Sequence, residues 1–270
     1  MHFSADRDLP VIVVIIRTMR MVPVMLPLLL CACWTGGGAP APRTRPAATE
    51  VLFVGNSFTF WRGGLWRQLE ALSEGNDPPL GYRAAGVVRG GASLEVLWER
   101  GRAPARIRDG DWDVVVLQED VPETSVPSFR AYAERFVDAA RAAGARPILF
   151  MAWEYERLDW ISFDEILAAH ESVAASLQVD VAPVGLAWRN ARAARPSLDM
   201  YARDREHPSP AGSYLALMVI EATISGLLPV AHDPDDVRLP GLERLEPGDT
   251  RFLQEVARRT IAEWNERQRR

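Results

Sequence analysis

The sequence predicts an α/β fold in which a five-stranded parallel sheet is covered by helices on both faces. Short apolar runs alternate along the chain with longer segments that repeat apolar residues at helical spacing. The short runs are apolar at successive positions, which is typical of strands buried on both faces. Because alternating strands and helices form parallel βαβ units, we predict a three-layer α/β/α sandwich.

Five strands and six helices are predicted within one domain, which has no internal repeat. Gly101 is the last residue of one predicted helix and Gly144 directly follows another, as glycine often does where a helix ends. Residues 229–248 are rich in Pro and are predicted to be irregular. The predicted strands are VLFVG (51–55), YRAAGVV (82–88), DVVVLQ (113–118), RPILFMAW (146–153) and VDVAPV (179–184). The predicted helices span residues 58–74, 93–101, 127–143, 163–177, 210–227 and 249–268.

The N-terminal residues predict an export signal. Arg20 precedes an apolar stretch of about a dozen residues, which is too short to span a bilayer comfortably. The stretch ends in LCAC (30–33), which resembles a bacterial lipobox. That resemblance implies a cell-envelope lipoprotein whose Cys33 carries the lipid and anchors the protein to a membrane, facing the periplasm or the cell surface. A plain cleaved signal and an uncleaved anchor are the alternatives.

Residues 1–18 fit a signal peptide poorly, so we expect translation to start at Met19 or Met21. The stretch that follows the lipobox is rich in Gly, Pro and Ala, a composition typical of flexible linkers. The predicted organisation is therefore a signal and lipobox region (1–33), a flexible linker (34–49) and a folded domain with a C-terminal helical extension (50–270).

Composition argues against several functional classes. The formal net charge of −5 offers no basic face for a nucleic acid. Both cysteines, Cys31 and Cys33, lie in the signal region, so the folded domain has no thiolate metal site and no Cys nucleophile. The sequence has no H-E-x-x-H, Walker A or strand-linked G-x-G-x-x-G pattern, and only four histidines. We therefore predict neither a metal nor another cofactor.

Among the histidines, His207 lies in the setting that general-base chemistry needs. It follows Asp204 by three residues in DREHPSPAG (204–212), a polar stretch before a predicted helix. A tight loop with this spacing can place the carboxylate on the imidazole Nδ1–H and leave Nε2 free for a nucleophile. The alternative is a turn residue beside a surface histidine. His170, in contrast, is predicted to pack on the inner face of a helix.

Ser57 belongs to the tripeptide GNS (55–57), which ends the first predicted strand. A helix that begins there presents free amides and the positive end of its dipole, both of which favour an oxyanion. The alternative is that Asn56, Ser57 or Thr59 only caps this helix. The two roles are compatible.

Together these motifs resemble the SGNH/GDSL hydrolases, esterases and acylhydrolases with a flavodoxin-like α/β/α fold. The first block of that family is G-D-S or G-N-S after the first strand, and its last block is D-x-x-H. Both blocks occur here in the same order, and the resemblance covers about residues 50–228, nearest to a branch with GNSF and LQE motifs. It implies three roles: nucleophile for Ser57, base for His207 and orienter of the base for Asp204.

The family resemblance also implies oxyanion donors beside the amide of Ser57, namely a Gly and an Asn. The Gly falls in RGGAS (89–93), where Gly91 is favoured over Gly90. The Asn block, G-x-N-D, is replaced by LQED (117–120). Gln118 is the expected substitute, because its carboxamide can donate the same hydrogen bond from a longer side chain.

Trp61, Trp153 and Glu154 are candidates for weaker substrate contacts, since they lie near predicted strand ends or the first helix. Aromatic faces at that edge could stack on a sugar, and packing in the core is the alternative.

The sequence therefore predicts a serine esterase or acylhydrolase that cleaves a carboxylic ester through an acyl-enzyme. The expected substrate is a small-molecule or glycan ester, such as an O-acetylated carbohydrate. Two alternatives stay open. One is an acyltransferase that uses the same triad, and the other is a catalytically weak ligand-binding lipoprotein, suggested by the missing Asn.

Overall fold

The structure is a computed structural model that describes residues 48–74, 81–229 and 238–269. Within these residues, five parallel strands form one sheet in the order β2-β1-β3-β4-β5. The predicted α/β fold with a five-stranded parallel sheet is confirmed. The strands are β1 (Thr49–Gly55), β2 (Tyr82–Val88), β3 (Val114–Gln118), β4 (Arg146–Phe150) and β5 (Asp180–Ala182).

Helices cover both faces of the sheet because side chains along each strand point alternately to opposite sides. Leu52 and Val54 pack with the helices of one layer, α3 to α6, whereas Val51 and Phe53 pack with α2 and α7 to α9. The helices are α1 (Ser57–Phe60), α2 (Leu65–Glu74), α3 (Leu94–Glu99), α4 (Arg102–Arg108), α5 (Val126–Ala142), α6 (Phe163–Leu177), α7 (Val184–Ala194), α8 (Pro210–Ser225) and α9 (Pro247–Gln268).

The single helix predicted over residues 58–74 is wrong, because the chain breaks between α1 and α2. A 3₁₀ turn (Trp61–Gly63) follows α1. Arg62, Gly63 and Gly64 have φ values of +52°, +95° and +95°, which a right-handed helix does not accommodate. This break turns the chain at the same edge of the sheet where β1 ends.

Two helices were not predicted. Gly101 ends α3 as expected, but its φ of +71° also lets the chain turn directly into α4. The other, α7, begins directly after Pro183, where the sequence suggested that the fifth strand continued. Periodicity alone did not separate these short segments from the elements that precede them.

The predicted signal region (1–33), the lipidation of Cys33 and most of the predicted linker lie outside the described residues. Thr49 was assigned to the linker, but it is the first residue of β1 and pairs with Tyr82. In the part of the chain that the structure describes, no helix is both long enough and apolar enough to cross a membrane.

The sheet topology has a switch point at the carboxyl end of β1. From β1 the chain first crosses to β2 on one side and later returns to β3 on the other side. The loops that follow β1 and β3 therefore diverge, and ligands of open α/β sheets bind at such a switch point. Ser57 lies two residues after the end of β1, at this switch point.

Candidate active site

Asn56, rather than Ser57, caps the helix that follows β1. The Asn56 Oδ1 atom accepts a hydrogen bond from the amide of Phe58 at 3.1 Å. The Ser57 hydroxyl is thereby left for another partner, and its oxygen lies 2.8 Å from Nε2 of His207. The amide of Ser57 is the first N–H of α1, a position that has no acceptor within its own helix.

The imidazole of His207 also contacts Asp204, with Nδ1 2.9 Å from Oδ2 of the carboxylate. The other carboxylate oxygen, Oδ1, accepts the backbone amides of His207 at 2.9 Å and Glu206 at 3.0 Å. Burial opposes the charge of Asp204, but these amides and the imidazole outweigh it and lower the pKa of the carboxyl group. The ionised carboxylate in turn favours the tautomer that has its proton on Nδ1.

The loop that carries His207 is held by groups from distant parts of the chain. Trp153 Nε1 donates to the carbonyl of Glu206 at 3.0 Å, and the carboxylate of Glu206 accepts from Arg157. On the other side, the amide of Ala202 donates to the His207 carbonyl at 2.7 Å. These bonds fix the backbone on both sides of the imidazole.

The predicted ligand contact of Trp153 is wrong, because its ring is only 1% exposed. It is stacked on Trp188, with ring centroids 3.8 Å apart, and on Phe58 at 4.6 Å. Its role is to support the His207 loop from the core. Glu154, the neighbouring candidate, is half-buried and pairs with Arg192 at 3.4 Å.

Trp61 lies directly on the imidazole of His207. The ring centroids are 3.8 Å apart and the ring planes differ by 17°. Phe58 approaches the same imidazole edge-on, with centroids 5.6 Å apart. Trp61 is half-buried. The sequence predicted that Trp61 lies near the site, but it did not predict the contact with His207.

The expectation that Gln118 supplies an oxyanion donor is wrong for this geometry. The side-chain oxygen of Gln118 accepts the amide of Asn56 at 2.8 Å and the hydroxyl of Thr59 at 3.1 Å. Its side-chain nitrogen donates to the backbone carbonyl of Glu119 at 2.9 Å. Gln118 is 1% exposed and therefore ties β3 to the Ser57 loop instead of facing a substrate.

Glu119 and Asp120, which follow Gln118 in the LQED segment, form a buried acidic pair beside the Asn56–Ser57 loop. Glu119 accepts the amides of Leu94 and Asp120, at 3.2 and 2.7 Å. Asp120 accepts from the hydroxyl of Tyr155, and the Asn56 side chain also bonds it. Burial raises the pKa of Glu119 to about 7 and that of Asp120 to about 6.

The RGGAS segment forms a turn at the carboxyl end of β2, beside β1. The amide of Arg89 donates to the carbonyl of Gly55 at 3.1 Å, and that of Ala92 donates to the carbonyl of Arg89 at 3.3 Å. Gly91 has a φ of +59°, so the turn itself requires glycine at this position. Gly90 has no such requirement.

His170 is buried in α6, as predicted. Its Nδ1 lies 2.8 Å from the carbonyl of Ile166, and its ring packs against Phe129. Burial lowers the pKa of His170 to about 4. Among the described residues, no cluster of three or more His, Cys, Asp or Glu side chains is arranged to hold a metal ion.

Comparison with solved structures identifies the family. A protein from Slackia heliotrinireducens that is assigned to the SGNH hydrolases is 30% identical, with a TM-score of 0.56. The match covers 66% of this chain and 99% of that protein. The chain belongs to the SGNH/GDSL hydrolase superfamily. It is, broadly, an ester hydrolase.

Two further structures share the SGNH fold at lower identity. A DUF4886 family protein from Bacteroides uniformis is 19% identical, with a TM-score of 0.58 over 80% of this chain and 95% of that one. A lipase/acylhydrolase from Enterococcus faecalis is 16% identical, with a TM-score of 0.51 over 68% and 99% of the two chains. No protein-family model and no curated protein matches the sequence of this SGNH hydrolase.

Proposed function

We propose that this SGNH hydrolase is a serine esterase or acylhydrolase in which Ser57, His207 and Asp204 form the catalytic triad. The observation that carries the proposal is the unbroken chain of contacts from Ser57 Oγ to Nε2, and from Nδ1 to the Asp204 carboxylate, at 2.8 and 2.9 Å. A carboxylate, an imidazole and a hydroxyl in this order are the groups that acyl transfer requires.

In the proposed reaction, Ser57 Oγ attacks the ester carbonyl while Nε2 of His207 takes the hydroxyl proton. The resulting imidazolium is stabilised by Asp204, whose other oxygen is already occupied by two backbone amides. The imidazolium then gives its proton to the leaving alcohol. A water molecule, activated by the neutral His207, hydrolyses the acyl-enzyme.

For the oxyanion we propose the amides of Ser57 and Gly91. The first lies at the N-terminus of α1, where the helix dipole favours negative charge, although α1 is short. The second belongs to the turn that packs beside Gly55 at the end of the neighbouring strand. Gln118 has no part in this proposal because its carboxamide is engaged within the fold.

The substrate that we propose is an ester of a small molecule or glycan, with an O-acetylated carbohydrate as the first candidate. We further propose that the domain is exported and anchored to a membrane through lipidated Cys33, as the N-terminal sequence indicates. Metabolic labelling with a palmitate analogue tests the anchor. Labelling that persists in Cys33→Ala would refute it.

The decisive experiment is labelling of the full chain with a fluorophosphonate probe, together with hydrolysis of p-nitrophenyl acetate. We expect the wild-type protein to be labelled and Ser57→Ala to lose both the label and the hydrolysis. Ser197→Ala is the matched control, because Ser197 is an exposed loop serine outside the proposed triad. A wild-type protein that takes no label, or Ser57→Ala that labels as well, would refute the triad.

A further inference from the structure

We propose that Trp61 is a positioning residue for the base, and that its ring face holds the imidazole of His207 in place and stabilises the imidazolium. This inference rests on the proposed function, since it concerns the base of that triad. It replaces the expectation that Trp61 contacts the substrate.

The indole ring of Trp61 stacks directly on the imidazole of His207. The two rings are nearly parallel, at 17°, and their centroids are 3.8 Å apart. The negative face of an indole attracts a cation placed over it, by about 0.5–2 kcal/mol depending on solvent exposure. The side chain of His207 is only 16% exposed, so water screens the attraction weakly. The attraction exists only when His207 is protonated, which is the state formed in the transition state.

The loop that carries Trp61 has an unusual backbone conformation. Three successive residues with positive φ, including the non-glycine Arg62 at +52°, turn the chain immediately after the tryptophan. Left-handed backbone at a non-glycine residue persists only where the surroundings hold it, and such residues cluster at functional sites. Here the holding group is Gln68, which is fully buried.

Gln68 donates from its side-chain nitrogen to the carbonyl of Arg62 at 2.9 Å and to that of Pro240 at 3.3 Å. Arg62 then reaches the other loop, because its Nε donates to the carbonyl of Pro208 at 3.3 Å. The loop of Trp61 and the loop of His207 are therefore fixed against each other, so the stacked geometry does not depend on the two rings alone.

The charged groups around the imidazole, together with their ion-pair partners, come from four segments of the chain. Asp204 lies on its own loop and contacts Nδ1. The carboxylate of Glu206 is paired with Arg157 from the loop after β4. Arg62, from the Trp61 loop, adds a positive charge that is paired with Glu243 at 3.8 Å. All of these groups are unchanged by a substitution at Trp61.

The test compares Trp61→Leu with Trp61→Phe in p-nitrophenyl acetate hydrolysis across pH. Leucine keeps apolar cover over the imidazole but has no ring face, whereas phenylalanine keeps a smaller face. For Trp61→Leu we expect kcat to fall about 5- to 20-fold with little change in KM. We also expect the acidic limb of the kcat/KM profile to move to lower pH by about half a unit or more, because the imidazolium is no longer stabilised. Trp61→Phe should recover most of both effects.

Trp160→Leu is the matched control, since Trp160 lies in a loop at the same edge of the sheet and is 63% exposed without stacking on His207. Three outcomes would overturn the proposal: an unmoved acidic limb in Trp61→Leu, equal behaviour of the Leu and Phe variants, or a rise in KM with kcat unchanged. Fluorophosphonate labelling separates this failure from that of the triad. If only the Trp61 proposal is wrong, the wild-type protein still labels at Ser57.

Discussion

Two acidic segments meet at the carboxyl edge of the same sheet, and their carboxyl groups behave in opposite ways. Asp204 is partly exposed and gathers two backbone amides and an imidazole, so its pKa is lowered despite some burial. Asp120 and Glu119 are almost fully buried, and burial raises the pKa of each although both accept hydrogen bonds. Burial disfavours the charged form of a carboxyl group, whereas hydrogen-bond donors favour it, and the balance of the two differs between these segments.

The difference also separates two kinds of site support. The Asp204–His207 loop supplies its own donors within three residues, and it presents a charged group to the imidazole. The Gln118–Asp120 segment bonds Asn56, Leu94 and Tyr155, which are distant in sequence. Its bond to Asn56 holds the residue that precedes Ser57. One segment is therefore expected to govern activity, and the other to govern stability.

The largest expected effect is on activity, and its absence would contradict this comparison of the two acidic segments. In Asp204→Asn the side chain no longer selects the Nδ1–H tautomer of His207, so kcat/KM for p-nitrophenyl acetate should fall by about 10³- to 10⁴-fold. The melting temperature should change little, because the carboxylate is 44% exposed. Asp199→Asn, an exposed change in the same region, is the control and should keep full activity. A variant that loses stability but not activity would reverse the assignment.

An intermediate effect is expected at Gln118. In Gln118→Leu the Asn56 amide, the Thr59 hydroxyl and the Glu119 carbonyl lose their partner while buried, so the free energy of unfolding should fall by roughly 2–4 kcal/mol. Thr59→Val removes only one of these bonds and should cost roughly 1 kcal/mol. Urea denaturation measures both. If Gln118→Leu kept its stability but lost about a hundredfold in kcat, Gln118 would be an oxyanion donor after all.

The smallest effect concerns the pH dependence of stability. The folded-state pKa of Glu119, about 7, exceeds its ordinary value of 4.5, so the folded state binds the extra proton between these values. The stability that this proton contributes to the folded state is fully present below about pH 4.5 and is lost as pH rises through 7. The unfolding free energy of the wild-type protein should therefore fall relative to that of Glu119→Gln by roughly 2 kcal/mol between pH 5 and 8.

His170 contributes with the opposite sign. Its folded-state pKa is lowered to about 4, so stability is lost as pH falls below its ordinary value of 6.5. The difference between the wild-type protein and Glu119→Gln cancels this contribution, because His170 is present in both. A difference that stays constant across pH would show that Glu119 is ionised in the folded protein throughout the range.

The amino-acid sequence by itself determined the sheet, the family motifs and the pairing of Asp204 with His207. Strand burial and helix periodicity are local patterns, and a carboxylate three residues before an imidazole can meet it within one tight loop. In the structure Asp204 and His207 make that contact. The third residue of the proposed triad, Ser57, was found from the GNS block that precedes DREH in the sequence.

Only the tertiary structure decided what surrounds these residues. Trp61 meets His207, and Gln118 meets Asn56, across long stretches of sequence. The first contact depends on the break after α1, and the second depends on the pairing of β1 with β3. The buried state of Glu119 and Asp120 likewise depends on distant parts of the chain, since Glu119 bonds the amide of Leu94 and Asp120 bonds Tyr155. No local pattern signals such contacts, because a side chain's partner and its access to water are properties of the assembled layers.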